Sequence, residues 1–419
     1  MKTENNVFHL SAIPEIDDML TQTIRQGAKQ LLATAIEQEV NDYLQSHSQI
    51  QDDEGRRLVV RNGYLPQRKI QTGIGDVEVK VPRVRNNSTE SLEFSSKLIP
   101  PYLKRTKSME EFIPWLYLKG VSTGDMEKTL SALLGKDIKG LSAKNIGHLT
   151  SAWQQEYESW CKRDLSHLKI VYLWADGVYL RTRMDDKQCL LVIIGADESG
   201  KKHLLAIDSG LRESTLSWRD VLLNLKGRGL NADIKLAVGD GSMGFWSALS
   251  EIMPRTTQQR CWVHKTANVL NKLPKSHQSS AKDRLHQIWM ADTREKALKA
   301  FDEFIDVYDA KYPKATQCLV KDKEALLSFY DFPDKHWHHL RTTNPIESLF
   351  ATVKLRTAKT RGCLSRKTGL SMVFKLATVA ETKWPRLRGS ALMADVIRGV
   401  VFENGLKQST NKQELESAA

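Results

Sequence analysis

The reading of residues 169–240 decides the fold. The stretch opens with KIVYLWADGVYL (169–180), runs through CLLVIIGADE (189–198) and KHLLAIDSG (202–210), and closes on IKLAVGD (234–240). Each segment is a short apolar run rich in β-branched residues and bounded by Asp or Gly, the signature of a strand. Asp176-Gly177 and Asp197 to Gly200 carry hairpin-type turn residues, so the first three strands are expected to follow one another directly. Between the third and the fourth, Leu216, Val221, Leu222 and Leu225 recur at helical spacing. A second helix at Met243–Ile252 and a short strand within TTQQRCWV (256–263) complete the order βββαβαβ.

That order makes the chain α/β and matches a ribonuclease-H-like core. Downstream, RLHQIWM, KALKAFDEFIDVY and KEALLSFY read as helices without intervening strands. Residues 166–264 are therefore expected to form the first part of the core, 265–340 an all-helical insertion and 341–400 the last part, with a polar tail at 401–419. Upstream, residues 108–165 read as three short helices. Ser108 with Glu111 has the form of a capping box, Ser122 or Thr123 opens the second helix, and Ser142 opens the third. Two short helices and a tight join ahead of a third fit a helix-turn-helix, whose last helix would present Lys144, Asn145 and His148 to base edges. A plain three-helix bundle fits the same pattern. Residues 51–107 hold LVVRNGYLPQRKIQTGIGDVEVKVPRVR (58–85), a small basic β-element with Asn-Gly and Gly-Asp turn signals. Within residues 1–50, apolar residues from Ile16 to Leu44 recur at spacings of three and four behind Pro14, the pattern of a long amphipathic helix suited to dimerisation or to packing on its own core.

Composition narrows the function. At 419 residues, with 41% hydrophobic and 27% charged side chains, the chain is long enough for several domains and has a globular balance, which excludes a disordered or fibrous protein. Its longest apolar stretch, Leu190 to Ala196, is too short to span a bilayer, and the opening MKTENNVFHL lacks the apolar region of a signal peptide. A cytoplasmic protein without a membrane partner is expected. Five scattered cysteines are not a disulfide framework. The net charge of +12 is concentrated: residues 56–107 carry twelve Lys and Arg against four Asp and Glu, and residues 335–407 fourteen against four. Two basic blocks in an otherwise acidic chain point to a polyanion, nucleic acid above all.

Three constellations could carry chemistry. Asp176 and Asp240 stand at the ends of strands that are neighbours in such a core, and Glu347, in TTNPIESLF, lies in the first turn of the helix after the insertion. Three convergent carboxylates suit two hard divalent ions, Mg²⁺ or Mn²⁺, for phosphodiester chemistry. Each acid also has a plain structural reading. Asp176-Gly177 is a hairpin turn, Asp240 stands in a helix-capping sequence, and Asn344, Pro345 and Glu347 read as N-cap, first and third helical positions. Cys261 and His264 form a Cys-x2-His pair, with His336, His338 and His339 further on, at a spacing of no common zinc module. His338-x2-Arg341 is a spacing shared with tyrosine recombinases, but no tyrosine follows Tyr330 to act as nucleophile. Beyond Glu347, a basic run that includes Lys354, Arg356, Lys359 and Arg361 could hold a phosphate backbone.

Five blocks in this order, RNGYLPQRKIQTGIGDVEVKVPRVR, WADGVYL, VGDGSMGFWSAL, QRCWVHKTANVLNKLP and TTNPIESLFATVKLRTAKTRGCLS, together resemble the Mutator-type transposases of bacterial insertion sequences. The resemblance covers roughly residues 50 to 390. It implies a DDE transposase in which Asp176, Asp240 and Glu347 occupy the metal-binding triad and Cys261 and His264 the family's Cys-x2-His motif. It further implies metal-dependent nicking of element ends and attack of the freed 3′-hydroxyl on double-stranded target DNA. The helix-turn-helix and basic β-element would recognise terminal inverted repeats, at least two subunits would pair the ends, and the protein would work at the nucleoid. A catalytically silent DNA-binding regulator of the same fold is the alternative, and a plain nuclease a third reading. Retention of all three acids favours the enzyme.

Overall fold

A computed structural model describes residues 19–89, 91–134, 143–180, 188–210, 212–231, 233–359 and 366–408. The chain divides into two compact units, Met1–Leu149 and Thr150–Ala419.

In the first unit, helix α1 (Met19–Ser46) precedes two antiparallel ribbons. One pairs β1 (Val59–Tyr64) with β4 (Pro82–Asn86), the other β2 (Arg68–Thr72) with β3 (Gly75–Val79). Alternation along β3 sends Val77 and Val79 inward, where they meet Ile36 of α1, Ile70, Val81 and Ile99. The fully buried residues of α1, Ile36 and Val40, lie in its C-terminal half, whereas Met19, Leu20 and Leu31 are largely exposed. Asn62-Gly63 does not make a hairpin turn. It lies inside β1, where Gly63 adopts φ 67° and the register with β4 shifts between Arg61 and Tyr64, the behaviour of a bulge. Helices α2 (Lys107–Leu118) and α3 (Thr123–Leu134) share a core of Met109, Ile113, Met126, Leu130 and Leu134. The expected capping box at Ser108 is displaced, because α2 starts two residues earlier, with Thr106 at its N-cap and no side-chain cap bond. Ser122 does open α3, its Oγ accepting from Asp125 N at 3.1 Å and donating to Asp125 Oδ2 at 2.6 Å.

Helix α4 (Ala143–Cys161) carries the chain into the second unit. There Tyr157 donates to the Ile207 carbonyl at 2.9 Å, and its ring and that of Trp160 pack against Phe374. The second unit is built on a mixed five-stranded sheet in the order β7-β6-β5-β8-β9, with β5 (Ile170–Leu180), β6 (Gln188–Asp197), β7 (Lys202–Gly210), β8 (Leu236–Gly239) and β9 (Thr257–Arg260). The first three strands are antiparallel neighbours, and β8 and β9 add in parallel to β5. The central strand β5 is buried from Ile170 through Asp176, as a strand covered on both faces must be. Asp176-Gly177 is therefore not a turn: both residues are paired with β6, opposite Val192 and Leu191. Ladder hydrogen bonds and the apolar residues beyond it, Val178 and Leu180, override the turn propensity of the dipeptide. The turn at Asp197 to Gly200 does form, with Gly200 at φ 75°.

Helices α5 (Thr215–Gly227) and α6 (Met243–Ile252) cover one face of the sheet, where Trp218, Leu222, Phe245 and Leu249 pack on Leu173, Ala175, Leu191 and Ile193. Helix α7 (Trp262–Leu270) follows β9 directly and leads into α8 (Lys275–Met290), α9 (Arg294–Tyr308), α10 (Pro313–Val320), α11 (Lys323–Leu327) and α12 (Trp337–Leu340), a strand-free segment. Helices α13 (Asn344–Lys359) and α14 (Arg366–Glu381) then return to the sheet, and α15 (Met393–Ile397) with the ribbon β10 (Phe402–Glu403) and β11 (Leu406–Lys407) ends the described chain. Among the described residues no helix is long and apolar enough to cross a membrane.

Candidate active site

Successive residues of a strand point to opposite faces, and β5 sorts its side chains accordingly. Leu173 and Ala175 enter the core beneath α5 and α6. Tyr172 and Trp174 point the other way, the Tyr172 hydroxyl to His336 Nδ1 at 2.9 Å and Trp174 Nε1 to the His339 carbonyl at 2.9 Å. Asp176 continues this second face. In parallel pairing Ala175 stands beside Gly239, so Asp176 and Asp240 are the next residues of two adjacent strands and share one level at one edge of the sheet. Gly239 must be small because a Cβ there would lie 3.0 Å from the Trp246 ring and 3.1 Å from that of Phe245. Asp176, one residue on from Ala175, thus falls on the face away from α6, whereas Asp240 lies just beyond its strand, two residues ahead of the N-cap of α6.

Asp176 is 6% exposed, and one carboxylate oxygen accepts from Gly177 N at 2.9 Å. Burial pushes its carboxyl up to about 7, helped by the negative charges of Asp240 and Glu213 and opposed by His264. Asp240 Oδ1 accepts from Ser242 N at 2.8 Å, and its carbonyl receives Trp246 Nε1 at 2.9 Å and the Arg260 guanidinium. Arg260 in turn pairs with Asp322 at 3.2 Å, and the buried Lys265 reaches the same carboxylate. A Cβ on Gly241 would lie 2.6 Å from Arg260 Nη2, so only glycine lets the guanidinium sit over this turn.

Glu347 stands in the first turns of α13, where its N–H donates to Thr343 O at 3.0 Å. The helix begins at Asn344, which places Thr343, and not Asn344, at the N-cap. Thr343 is fully buried. Its hydroxyl donates to Glu347 Oε1 at 3.1 Å and lies 3.4 Å from Cys261 Sγ and 3.5 Å from His264 Nδ1. Cys261 and His264 form the N-cap and the first turn of α7. The ligand atoms of Cys261, His264 and Glu347 lie within 4.8 Å of one another. The His264 imidazole is raised to about 9, first by its hydrogen bond to Cys261 and further by Asp176 and Asp240, against burial. His264 is thus the common neighbour of the strand acids and of the Cys261–Thr343–Glu347 group.

Glu213, which its sequence context LRESTLSW does not single out, also belongs here. It precedes Ser214, the N-cap of α5, and its carboxylate lies against the face of β5 opposite Asp176, where a Cβ on Gly177 would meet it at 2.5 Å. Burial and the charge of Asp240 raise its carboxyl. Arg260 and Thr343 also belong to the site and carry no chemical signal of their own in the sequence, although both stand inside the motif blocks, next to Cys261 and three residues before Ile346. Their roles follow from contacts between distant segments, Arg260 with Asp240 and Asp322 and Thr343 with Cys261.

The expected DNA contacts are less gathered. His148 and Lys354 are exposed, whereas Arg356 is 3% exposed and directs no charge outward. The side chains of Lys144, Asn145 and Lys359, and all of Arg361, lie outside the described residues.

Comparison with known proteins identifies the family. The family described as transposase, Mutator family, matches residues 2–385. The chain is 49% identical over 284 residues to the transposase for insertion sequence element IST2 of Acidithiobacillus ferrooxidans, covering 67% of this chain and 95% of that protein. It is 47% identical over 298 residues to the transposase for insertion sequence element IS6120 of Mycolicibacterium smegmatis, covering 71% and 92%. More distantly, it is 27% identical over 351 residues to the IS256 transposase in transposon Tn4001 of Staphylococcus aureus, covering 82% and 87%. A match over nearly the whole length, with relatives spanned almost end to end, leads to one conclusion: this chain belongs to the Mutator family of transposases.

Proposed function

We propose that the protein catalyses metal-dependent cleavage and strand transfer of insertion-sequence DNA by a DDE mechanism, with Asp176, Asp240 and Glu347 as the metal-holding acids. The observation that carries this reading is the placement of Asp176 and Asp240 at one level of adjacent parallel strands, with His264 between them and the group that holds Glu347. Three antiparallel strands extended by two parallel ones, in the order β7-β6-β5-β8-β9, support a ribonuclease-H-like core interrupted by the helical segment from α8 to α12.

The donor set fits Mg²⁺ or Mn²⁺. Two strand carboxylates and Glu347 offer hard oxygen ligands, and the Asp176 carboxyl is held up to about 7 with no lysine or arginine among the strongest charges acting on it. A divalent cation bound there would lower the pKa of an attacking water or 3′-hydroxyl and stabilise the leaving oxygen. The protein's own part is positioning. Asp176 is immobilised within the central strand, the turn after Asp240 is held by Arg260 and Trp246, and Glu347 is held from Thr343. Lys354, exposed on α13 two turns beyond Glu347, would bind a DNA phosphate. The basic β-element and the helices that follow it serve as the end-recognition region, and two DNA ends call for at least two subunits.

The test is strand transfer on labelled DNA carrying the element's end, with Mg²⁺ or chelator, in the wild type and in Asp176→Ala, Asp240→Ala and Glu347→Ala. Nicking and joining should require the metal and disappear in all three variants while end binding persists. End binding by a wild-type protein with no strand chemistry would instead indicate a silent DNA-binding regulator.

A further inference from the structure

The Cys-x2-His motif has no part in the chemistry above, yet it sits where the two halves of the site meet. Cys261 N donates to the Gly239 carbonyl at 2.8 Å, one residue before Asp240. Its thiol, 1% exposed, accepts from the backbone N–H of Thr343 at 3.4 Å. The next peptide repeats the stitch, Trp262 N donating to the Arg341 carbonyl at 2.9 Å. One residue therefore ties the strand of Asp240 to the start of the Glu347 helix. The Thr343 hydroxyl has a single proton. Glu347 Oε1, at 3.1 Å, is the nearest of its acceptors, which leaves the Cys261 sulfur to the backbone N–H of Thr343 and to its hydrogen bond with His264, whose Nδ1 also lies 3.5 Å from the hydroxyl.

We propose that Thr343, Cys261 and His264 are positioning residues that fix the Glu347 carboxylate relative to Asp240, and that this, not a bound soft metal, is the task of the motif. The hydroxyl oxygen of Thr343 lies 3.1 to 3.5 Å from all three ligand atoms of the Cys261, His264 and Glu347 group, so hydrogen bonding through one side chain links the three without an ion. Without the hydroxyl, Glu347 loses the bond that selects its rotamer at the mouth of the site.

This inference rests on the assignment of Glu347 as a metal-holding acid, and the experiment separates the two. Thr343→Val keeps the buried volume and removes the donor; Thr343→Ser keeps the donor. Strand transfer is measured against Mg²⁺ concentration in the full-length protein, alongside end binding, thermal unfolding and zinc content. Thr343→Val should raise the Mg²⁺ needed for half-maximal rate by about tenfold or more, as loss of an outer partner of a metal ligand does. End binding should not change, and Thr343→Ser should recover most of the loss. As a second variant, Cys261→Ser should respond in the same direction. Wild-type Mg²⁺ dependence in both Thr343→Val and Cys261→Ser, with Glu347→Ala inactive, would overturn the positioning role. One equivalent of zinc in the purified protein, lost in Cys261→Ser, would overturn it in favour of a metal centre. Activity in Glu347→Ala would remove the underlying assignment and this proposal with it.

Discussion

Asp176 shows what a single residue costs its fold. A carboxyl held up to about 7 by burial opposes folding once it ionises, because the unfolded chain releases the same proton near the ordinary aspartate value of about 3.9. The folded state is therefore penalised above pH 7, less between 7 and about 4, and not at all below. In chelator, Asp176→Asn should be more stable than the wild type at pH 8 by roughly 2 to 4 kcal/mol, and the gain should vanish below about pH 4. Chemical denaturation across this range checks it; a gain independent of pH would mean that the carboxylate is not the source. Mg²⁺ at pH 8 should narrow the gap by binding only the wild type.

Among the elements, the helical segment between β9 and α13 is more than a spacer. Asp322, between α10 and α11, balances two buried cations, Arg260 at 8% and Lys265 at 3% exposure. Arg260 then holds the carbonyl of Asp240. Removing the shared carboxylate strands both charges in a low-dielectric interior, a loss that typically costs about 3 to 5 kcal/mol. Asp322→Ala should destabilise the protein by that order in urea unfolding. Substituting Asp302, whose partner Lys323 is exposed enough to be hydrated, should cost under about 1 kcal/mol. Equal effects from the two would remove the argument that the insertion braces the site.

At the scale of the whole molecule, the decisive quantity is the charge distribution. The two basic blocks flank a middle stretch of the sequence whose acidic and basic residues nearly balance, so these two regions are the ones expected to meet DNA phosphates. If some six to ten phosphates are neutralised, affinity for end DNA should fall by about 10³ to 10⁵ between 50 and 200 mM salt. A filter or fluorescence titration of Asp176→Ala in chelator measures this without turnover. A weak salt dependence would show that few phosphates are contacted. Lys354→Ala should lower the slope of log affinity against log salt by about one, whereas Arg356→Ala, whose guanidinium is buried, should act on stability instead.

The strands and helices of the second unit could be read from the amino-acid order, because apolar runs and helical periodicity report burial locally and the segments are long. The same holds for the residue types able to bind a metal. Dipeptide and capping signals were less dependable. Asp176-Gly177 reads as a turn but lies within an eleven-residue strand, Asn62-Gly63 became a bulge, and the cap of α13 fell on Thr343. In each case pairing or packing with distant chain outweighed a local preference worth at most about 1 kcal/mol. Nothing in the linear order could place Glu213 behind Gly177, bring Asp322 to Arg260, or set a threonine hydroxyl between Cys261, His264 and Glu347. These contacts join segments up to eighty residues apart, and they exist only once the sheet has aligned β5 with β8 and α13 has closed over the result.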